Sequence, residues 1–202
     1  ALSEPKSLVS IRCGDITFSD IQAILFDKDG TLADSEAFLR SLGYKRSRLV
    51  DAQVPGAGDS LLMACGLDGE KLDPTGLLAV GSRRENEIAA ATYIAETGRG
   101  WLESLALARQ AFTEADQMMK NAAPSPLFVG CLEVLEQLSQ VPLQLGILSA
   151  DTTARVQEFV SRYRLSPYIK LQMGVEEGPS KPDPALFLNA CQALGVEPGR
   201  TL

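Results

Sequence analysis

The sequence contains no histidine. That absence excludes Ser-His-Asp and Cys-His catalysis and any metal site built on imidazole. Acid–base work must therefore fall to carboxylates, lysines or tyrosines. Cysteine is sparse, and Cys13, Cys65, Cys131 and Cys191 stand far apart in the chain. No two of them form the close ligand pair of a zinc site, so they read as reduced residues acting as small apolar side chains. A basic cluster is also missing. The net charge is −7, and nothing gathers the Lys and Arg that a nucleic-acid groove needs to neutralise phosphates. No apolar run approaches the roughly 18 residues that span a bilayer. The opening ALSEPKS has no charged-then-apolar signal pattern. The expectation is a cytosolic protein with no nucleic-acid or membrane partner.

What is present is an ordinary globular composition, 45% hydrophobic and 22% charged over 202 residues, enough for one large domain or two small ones. Two short β-type runs, 9–13 and 16–18, flank Gly14-Asp15 and read as a hairpin. The run IQAILFD, residues 21–27, is nearly continuous in apolar residues, as suits a strand buried on both faces of a parallel sheet. From residue 35 to about 123 the texture changes. ENEIAAATYIAETG and WLESLALARQAFTEADQMMK are rich in helix formers and are separated by Gly98 and Gly100, which predicts a helical hairpin. Residues 54–74 read as loop with one short helix. Beyond Pro126 the pattern predicts a helix over 130–140, a buried strand over 143–149, a helix over 152–163, a short strand over 169–174, and a helix over 184–194 stopped by Gly195. Alternating strands and helices of this kind argue a parallel α/β sheet interrupted by a helical insertion.

Three polar signals fall at or after strand ends, where parallel sheets gather ligands. Asp27-Lys28-Asp29-Gly30-Thr31 closes the first buried strand. Two carboxylates at i and i+2 before a glycine suit a nucleophile that attacks phosphorus and an acid/base that serves the leaving oxygen, although Asp and Gly also make plain surface turns. Ser149 ends the second strand. Its hydroxyl and the following backbone N–H groups suit a phosphate oxygen, or else Ser149 or Asp151 caps the next helix. Lys181 in SKPDPALF suits charge neutralisation at a transferring phosphoryl group, or a solvated turn. Arg83 and Arg84, before ENEIAAATYIAE, are further anion-contact candidates or a solvated helix start. In GDSLL, residues 58–62, Asp59 or Ser60 reads as the cap of a short helix.

DKDGTLADS, then a strand ending in serine, then KPDPALF, in this order and separation, resembles the haloacid dehalogenase superfamily across residues 20–202. The likeness is to the branch of phosphoglycolate phosphatases and β-phosphoglucomutases. The resemblance implies a Rossmann-like α/β core over 1–33 and 127–202, including the hairpin 8–19, with a helical cap over 34–126. It implies Asp27 as nucleophile and Asp29 as general acid/base. It implies Mg²⁺ bound by the Asp27 carboxylate and the Asp29 backbone carbonyl. Ser149 would hold the phosphoryl group, with the position after it, Ala150, lacking the polar side chain often found there, and Lys181 would stabilise charge. The activity implied is Mg²⁺-dependent hydrolysis of a small soluble phosphomonoester, a phosphorylated metabolite, through an aspartyl phosphate. A phosphomutase of the same chemistry, or a catalytically inactive fragment or binding relative, is the alternative. The family's fourth motif, a strand ending in acidic metal ligands, would begin where GVEPGRTL closes the sequence. The expectation is therefore a truncated form of a longer protein in which strand 21–27 exposes an apolar edge.

Overall fold

The structure is a computed structural model that describes residues 8–202; the opening segment 1–7, read above for a signal pattern, lies outside them. In chain order the strands and helices are β1 (Val9–Cys13), β2 (Ile16–Ile21), β3 (Ala23–Phe26), α1 (Glu36–Gln53), α2 (Ala57–Cys65), β4 (Leu67–Asp68), β5 (Lys71–Leu72), α3 (Leu77–Val80), α4 (Arg83–Glu96), α5 (Trp101–Met118), α6 (Cys131–Ser139), β6 (Gln144–Leu148), α7 (Thr153–Arg162), β7 (Leu171–Met173) and α8 (Pro184–Leu194). They divide into two compact units, one running to Asp34 and resuming at Leu127, the other Ser35–Pro126. Among the described residues, no helix is long and apolar enough to cross a membrane.

The first unit is α/β. Its parallel sheet has the order β3-β6-β7, and the antiparallel hairpin β1-β2 turns at Gly14, whose φ of 61° suits glycine. The apolar run 21–27 splits, because Ile21 ends β2 and only 23–26 form β3. β6 lies between its two neighbours and is buried along most of its length. Gly146 sits opposite both Leu25 and Leu171. A Cβ there would meet Leu25 Cδ2 at 2.9 Å and Leu171 Cβ at 3.1 Å, so glycine makes room for two leucines on one face. Leu135 of α6 and Val156 and Val160 of α7 pack with Leu145 and Ile147 in the main core. Leu186 and Ala190 of α8 pack with Leu148.

The expectation of an exposed edge at β3 is corrected. Residues 200–202 lie along it in the parallel sense: Gln22 N donates to Arg200 O, Leu25 N to Leu202 O, and Leu202 N to Ala23 O, at 2.8–3.0 Å. Main-chain pairing therefore satisfies this part of the edge.

The second unit is helical apart from the two-residue strands β4 and β5. Its core joins Val50, Leu61, Ile94 and Phe112 with Ala90, Ala91, Ala108 and Ala111, all buried. The alanines let α4 and α5 approach closely across the turn at Gly98, where φ is 102°. α4 starts in a capping box, Ser82 and Glu85 each bonding the other's backbone N–H. The short helix within 54–74 begins earlier than its sequence implies. Gly56, not Asp59 or Ser60, is the N-cap of α2, and Asp51 reaches across from α1 to accept from Gly56 N and Gly58 N. A neighbouring helix supplies the acceptor that a local cap would have given.

Candidate active site

Asp27 follows β3 and Ser149 follows β6, so both stand at carboxyl ends of adjacent parallel strands. The turn after Asp27 is tight. Lys28 O accepts from Leu32 N and Ala33 N at 3.0 and 2.9 Å, and Gly30 N donates to Ala33 O at 2.9 Å. Gly30 has φ 83°, a conformation glycine adopts without penalty.

Lys181, in the segment between β7 and α8, reaches Asp27 across 154 residues of sequence: its Nζ donates to Asp27 Oδ1 at 3.0 Å. Lys28 N donates to the same oxygen at 2.8 Å. Neither bond falls on Oδ2, and the Asp27 side chain is 49% exposed. An ion pair this open adds little stability. α8 is anchored just past Lys181 by Asp183, whose side chain caps it, with Pro184 at its first turn.

The lysine inside the motif is the residue that sequence reading missed. Lys28 is only 7% exposed. Its Nζ contacts Asp29 Oδ1 at 3.0 Å and Oδ2 at 2.8 Å, and Asp151 Oδ2 at 3.1 Å; it also lies 5.8 Å from the centre of the Phe159 ring. Burial works against its charge, but Asp29 and Asp151 outweigh that and raise its pKa above the ordinary lysine value. The signal was ambiguous, because a lysine between two aspartates in a glycine turn ordinarily points to water.

The sequence offers Ser149 or Asp151 as the cap of the following helix; neither fills that place. Thr152 caps α7, its side chain accepting from Arg155 N. Asp151 instead joins the charge network, with Oδ1 accepting from Thr152 N at 2.8 Å. Its own N donates to Ser149 Oγ at 3.1 Å, which leaves the Ser149 hydroxyl proton available to an acceptor. Ser149 is 1% exposed. Ala150 is half-buried and offers no polar side-chain atom. Gly174 lets the end of β7 lie against this loop. A Cβ there would come within 2.4 Å of Asp151 O, Thr152 C and Thr153 N.

The structure thus brings Asp27 to Lys181, and Asp29 to Lys28 and Asp151, with Ser149 bonded to the last of these. Arg83 is occupied within the helical unit, paired with Glu87 and Asp116, and Arg84 is exposed. Around the strand ends, Asp27, Asp29 and Asp151 face Lys28, Lys181 and, at 3.9 Å, Arg155. The three cations are already met by these carboxylates, with Glu176 accepting from Thr153 N beside them, so a phosphate dianion arriving here would bring charge that this set does not offset. A divalent cation fits that need. Among the described residues no three His, Cys, Asp or Glu gather as a ligand cluster. A hard oxygen donor from Asp27, completed by waters and a substrate phosphate, is nevertheless the kind of coordination Mg²⁺ accepts.

A family model described as haloacid dehalogenase-like hydrolase matches residues 21–202. The chain belongs to that family of hydrolases, whose members generally use Mg²⁺. No curated protein matches it. Among solved structures it is similar to a predicted phosphoglycolate phosphatase from Haemophilus somnus 129PT, at 19% identity and TM-score 0.63, over 90% of this chain and 75% of that one. It is similar to a 2-haloacid dehalogenase from Pseudomonas syringae pv. tomato DC3000, at 21% and 0.54, over 90% and 76%. It is also similar to a provisionally assigned β-phosphoglucomutase from Thermotoga maritima, at 19% and 0.51, over 90% and 74%. At these identities the likeness establishes the α/β fold with its parallel sheet and surrounding helices.

Proposed function

We propose that this protein is a Mg²⁺-dependent phosphatase of a small, soluble phosphomonoester, acting through an aspartyl phosphate on Asp27. The observation that carries the reading is the Lys181 Nζ–Asp27 Oδ1 contact at 3.0 Å, made beside a second carboxylate two residues on. In the first step an oxygen of Asp27 attacks phosphorus, and the bond to the leaving oxygen breaks as a proton taken up from solvent passes to that oxygen through Asp29, which is left as carboxylate. In the second step Asp29 takes a proton from water, whose oxygen attacks the phosphorus and returns Asp27 as carboxylate. Lys181 offsets charge on the nucleophile and the transferring group, and the Ser149 hydroxyl donates to a phosphoryl oxygen. Asp27 and the Asp29 carbonyl would hold Mg²⁺, which when bound supplies positive charge between the two anions.

A dehalogenase would need the same nucleophile, and it could use the second carboxylate only as the base of the second step, because a halide leaves without a proton. As the acid of the first step, Asp29 has a task only when the leaving atom is a basic oxygen, which favours the ester. Steady-state assays of phosphate release from a panel of sugar and alkyl phosphates, with haloacids as controls, test this reading. Phosphate release that needs Mg²⁺ and Asp27 is the expected result. Isomerised sugar phosphate as product indicates a mutase, and halide release with no phosphate release overturns the proposal.

A further inference from the structure

We propose that Lys28 is a positioning residue, which fixes the Asp29 carboxylate at the strand ends and ties it through Asp151 to the loop that carries Ser149. The inference rests on the phosphatase reading for its catalytic meaning. Its geometry stands without it.

A lysine is almost never buried without partners, because taking an ammonium out of water is costly. A turn between Asp27 and Asp29 could hold any polar residue pointing outward. Here the side chain runs inward to 7% exposure. The ammonium hydrogen-bonds Asp29 Oδ1 at 3.0 Å and Asp151 Oδ2 at 3.1 Å, and Asp29 Oδ2 lies 2.8 Å away as an ion-pair contact. The charge thus sits against both oxygens of Asp29, which disfavours rotation of that carboxyl group about its own axis.

The other end of the bridge is firm. Asp151 is held through its second oxygen by Thr152 N, through its N–H by Ser149 Oγ, and through its carbonyl by Val175 N at 2.8 Å. Ser149 N in turn donates to Met173 O at 3.0 Å. The loops after β3, β6 and β7 are thus linked, and Asp29 is fixed relative to the strand ends where the phosphate is proposed to sit. An acid/base acts only within hydrogen-bond reach of the atom it serves.

The test uses the full chain with Mg²⁺, with glycerol phosphate as a poor leaving group and p-nitrophenyl phosphate as a good one. Lys28→Met should lower kcat for glycerol phosphate about tenfold or more, on the scale of a small misplacement of a catalytic group. The loss with p-nitrophenyl phosphate should be smaller, and KM should stay within about twofold. Lys28→Arg, whose forked donors can also span two carboxylates, should recover part of the loss. In an Asp29→Ala background Lys28→Met should cause no further loss. Losses that multiply instead would overturn the proposal. Where Lys28→Met does not fold, Asp151→Asn carries the same leaving-group comparison, and equal losses on both substrates would count against it.

A second cycle needs no turnover. The thermal midpoint of the Lys28→Met, Asp151→Asn double variant should lie near that of the weaker single variant, whereas additive shifts would overturn the bridge. Asp27→Asn run alongside separates the two ideas. Phosphate release that survives in Asp27→Asn defeats the phosphatase reading, while the midpoint cycle still decides the bridge.

Discussion

Among the described residues each unit buries one long cation to the same 7% exposure, and the two are treated in opposite ways. In the α/β unit, Lys28 meets three carboxylate oxygens and its pKa rises. In the helical unit, Arg46 stacks on the Phe112 ring, its guanidinium carbon 4.2 Å from the ring centre, while its Nε has no hydrogen-bond partner among the described residues. Burial lowers the Arg46 pKa to about 10, with Asp116 opposing that from beyond bonding distance and Arg83 adding to it. The difference lies in how charge is met. Around Lys28 the carboxylates answer the ammonium at the strand ends, where the proposed phosphoryl chemistry would use them. Around Arg46 the flat guanidinium serves as packing against an aromatic face, and its polar edge is a cost.

The comparison breaks most easily at the strand ends. Asp27→Asn should lower phosphate release by at least about a hundredfold while circular dichroism and thermal unfolding stay near wild type, because the lost group reacts but contributes little stability. Gly174→Ala comes next. Its Cβ would lie 2.4 Å from three backbone atoms of the Asp151 loop, which cannot rotate away as a side-chain tip would. A loss of about 1–3 kcal/mol in denaturant unfolding is expected, with lowered turnover from the displaced loop. Wild-type stability together with wild-type activity would show that the loop is not built as described.

Much of this was legible in the sequence. The apolar runs located β3 and β6, and DKDGT, Ser149 and KPDP marked the loops that follow the strands, because a buried parallel strand must end where charge and glycine begin. What stayed hidden depended on neighbours distant in the chain. Lys28 reads as a solvated turn residue until Asp151, 123 positions away, is placed beside it. The cap of α2 is hidden because its acceptor, Asp51, lies on another helix. The covered edge of β3 depends on residues 200–202, which carry too few apolar positions to show a strand pattern. Arg46 gave no signal, because arginine in a polar helix is ordinarily solvated.

Paired variants sharpen the comparison. Lys28→Met strands two carboxylates and should cost about 1.5–3 kcal/mol, the range for bonds to charged groups. Arg46→Met keeps most of the packing on Phe112 and removes an unanswered donor, so it should be neutral or stabilising by up to about 1 kcal/mol. Equal losses in the two variants, measured by urea unfolding, would show that Arg46 has a partner the geometry does not reveal.

The smallest effect concerns Cys65, which lies beside Arg46 in the same core and is 2% exposed. Burial raises its pKa from 9.0 to about 11, against the pull of the Arg46 charge toward thiolate. The folded state therefore keeps this proton between pH 9 and 11 while the unfolded chain releases it, so the folded state binds more protons and stability falls as pH rises. The contribution is fully present below about pH 9 and is lost as pH climbs through about 11. The largest difference this allows is roughly 2–3 kcal/mol, at one pKa unit for each 1.4 kcal/mol, and less within the range where the protein can be measured. Wild type and Cys65→Ala should differ in unfolding free energy by an amount that shrinks between pH 8 and pH 10.5, with Cys65→Ala the less pH-sensitive of the two. Alkylation gives an independent reading: the exposed Cys13 should react with iodoacetamide at pH 8 in the folded protein, and Cys65 only after denaturation. Reaction of Cys65 at the rate of Cys13 would mean that the core around Arg46 opens readily, and that the unpaired Arg46 Nε reaches water after all.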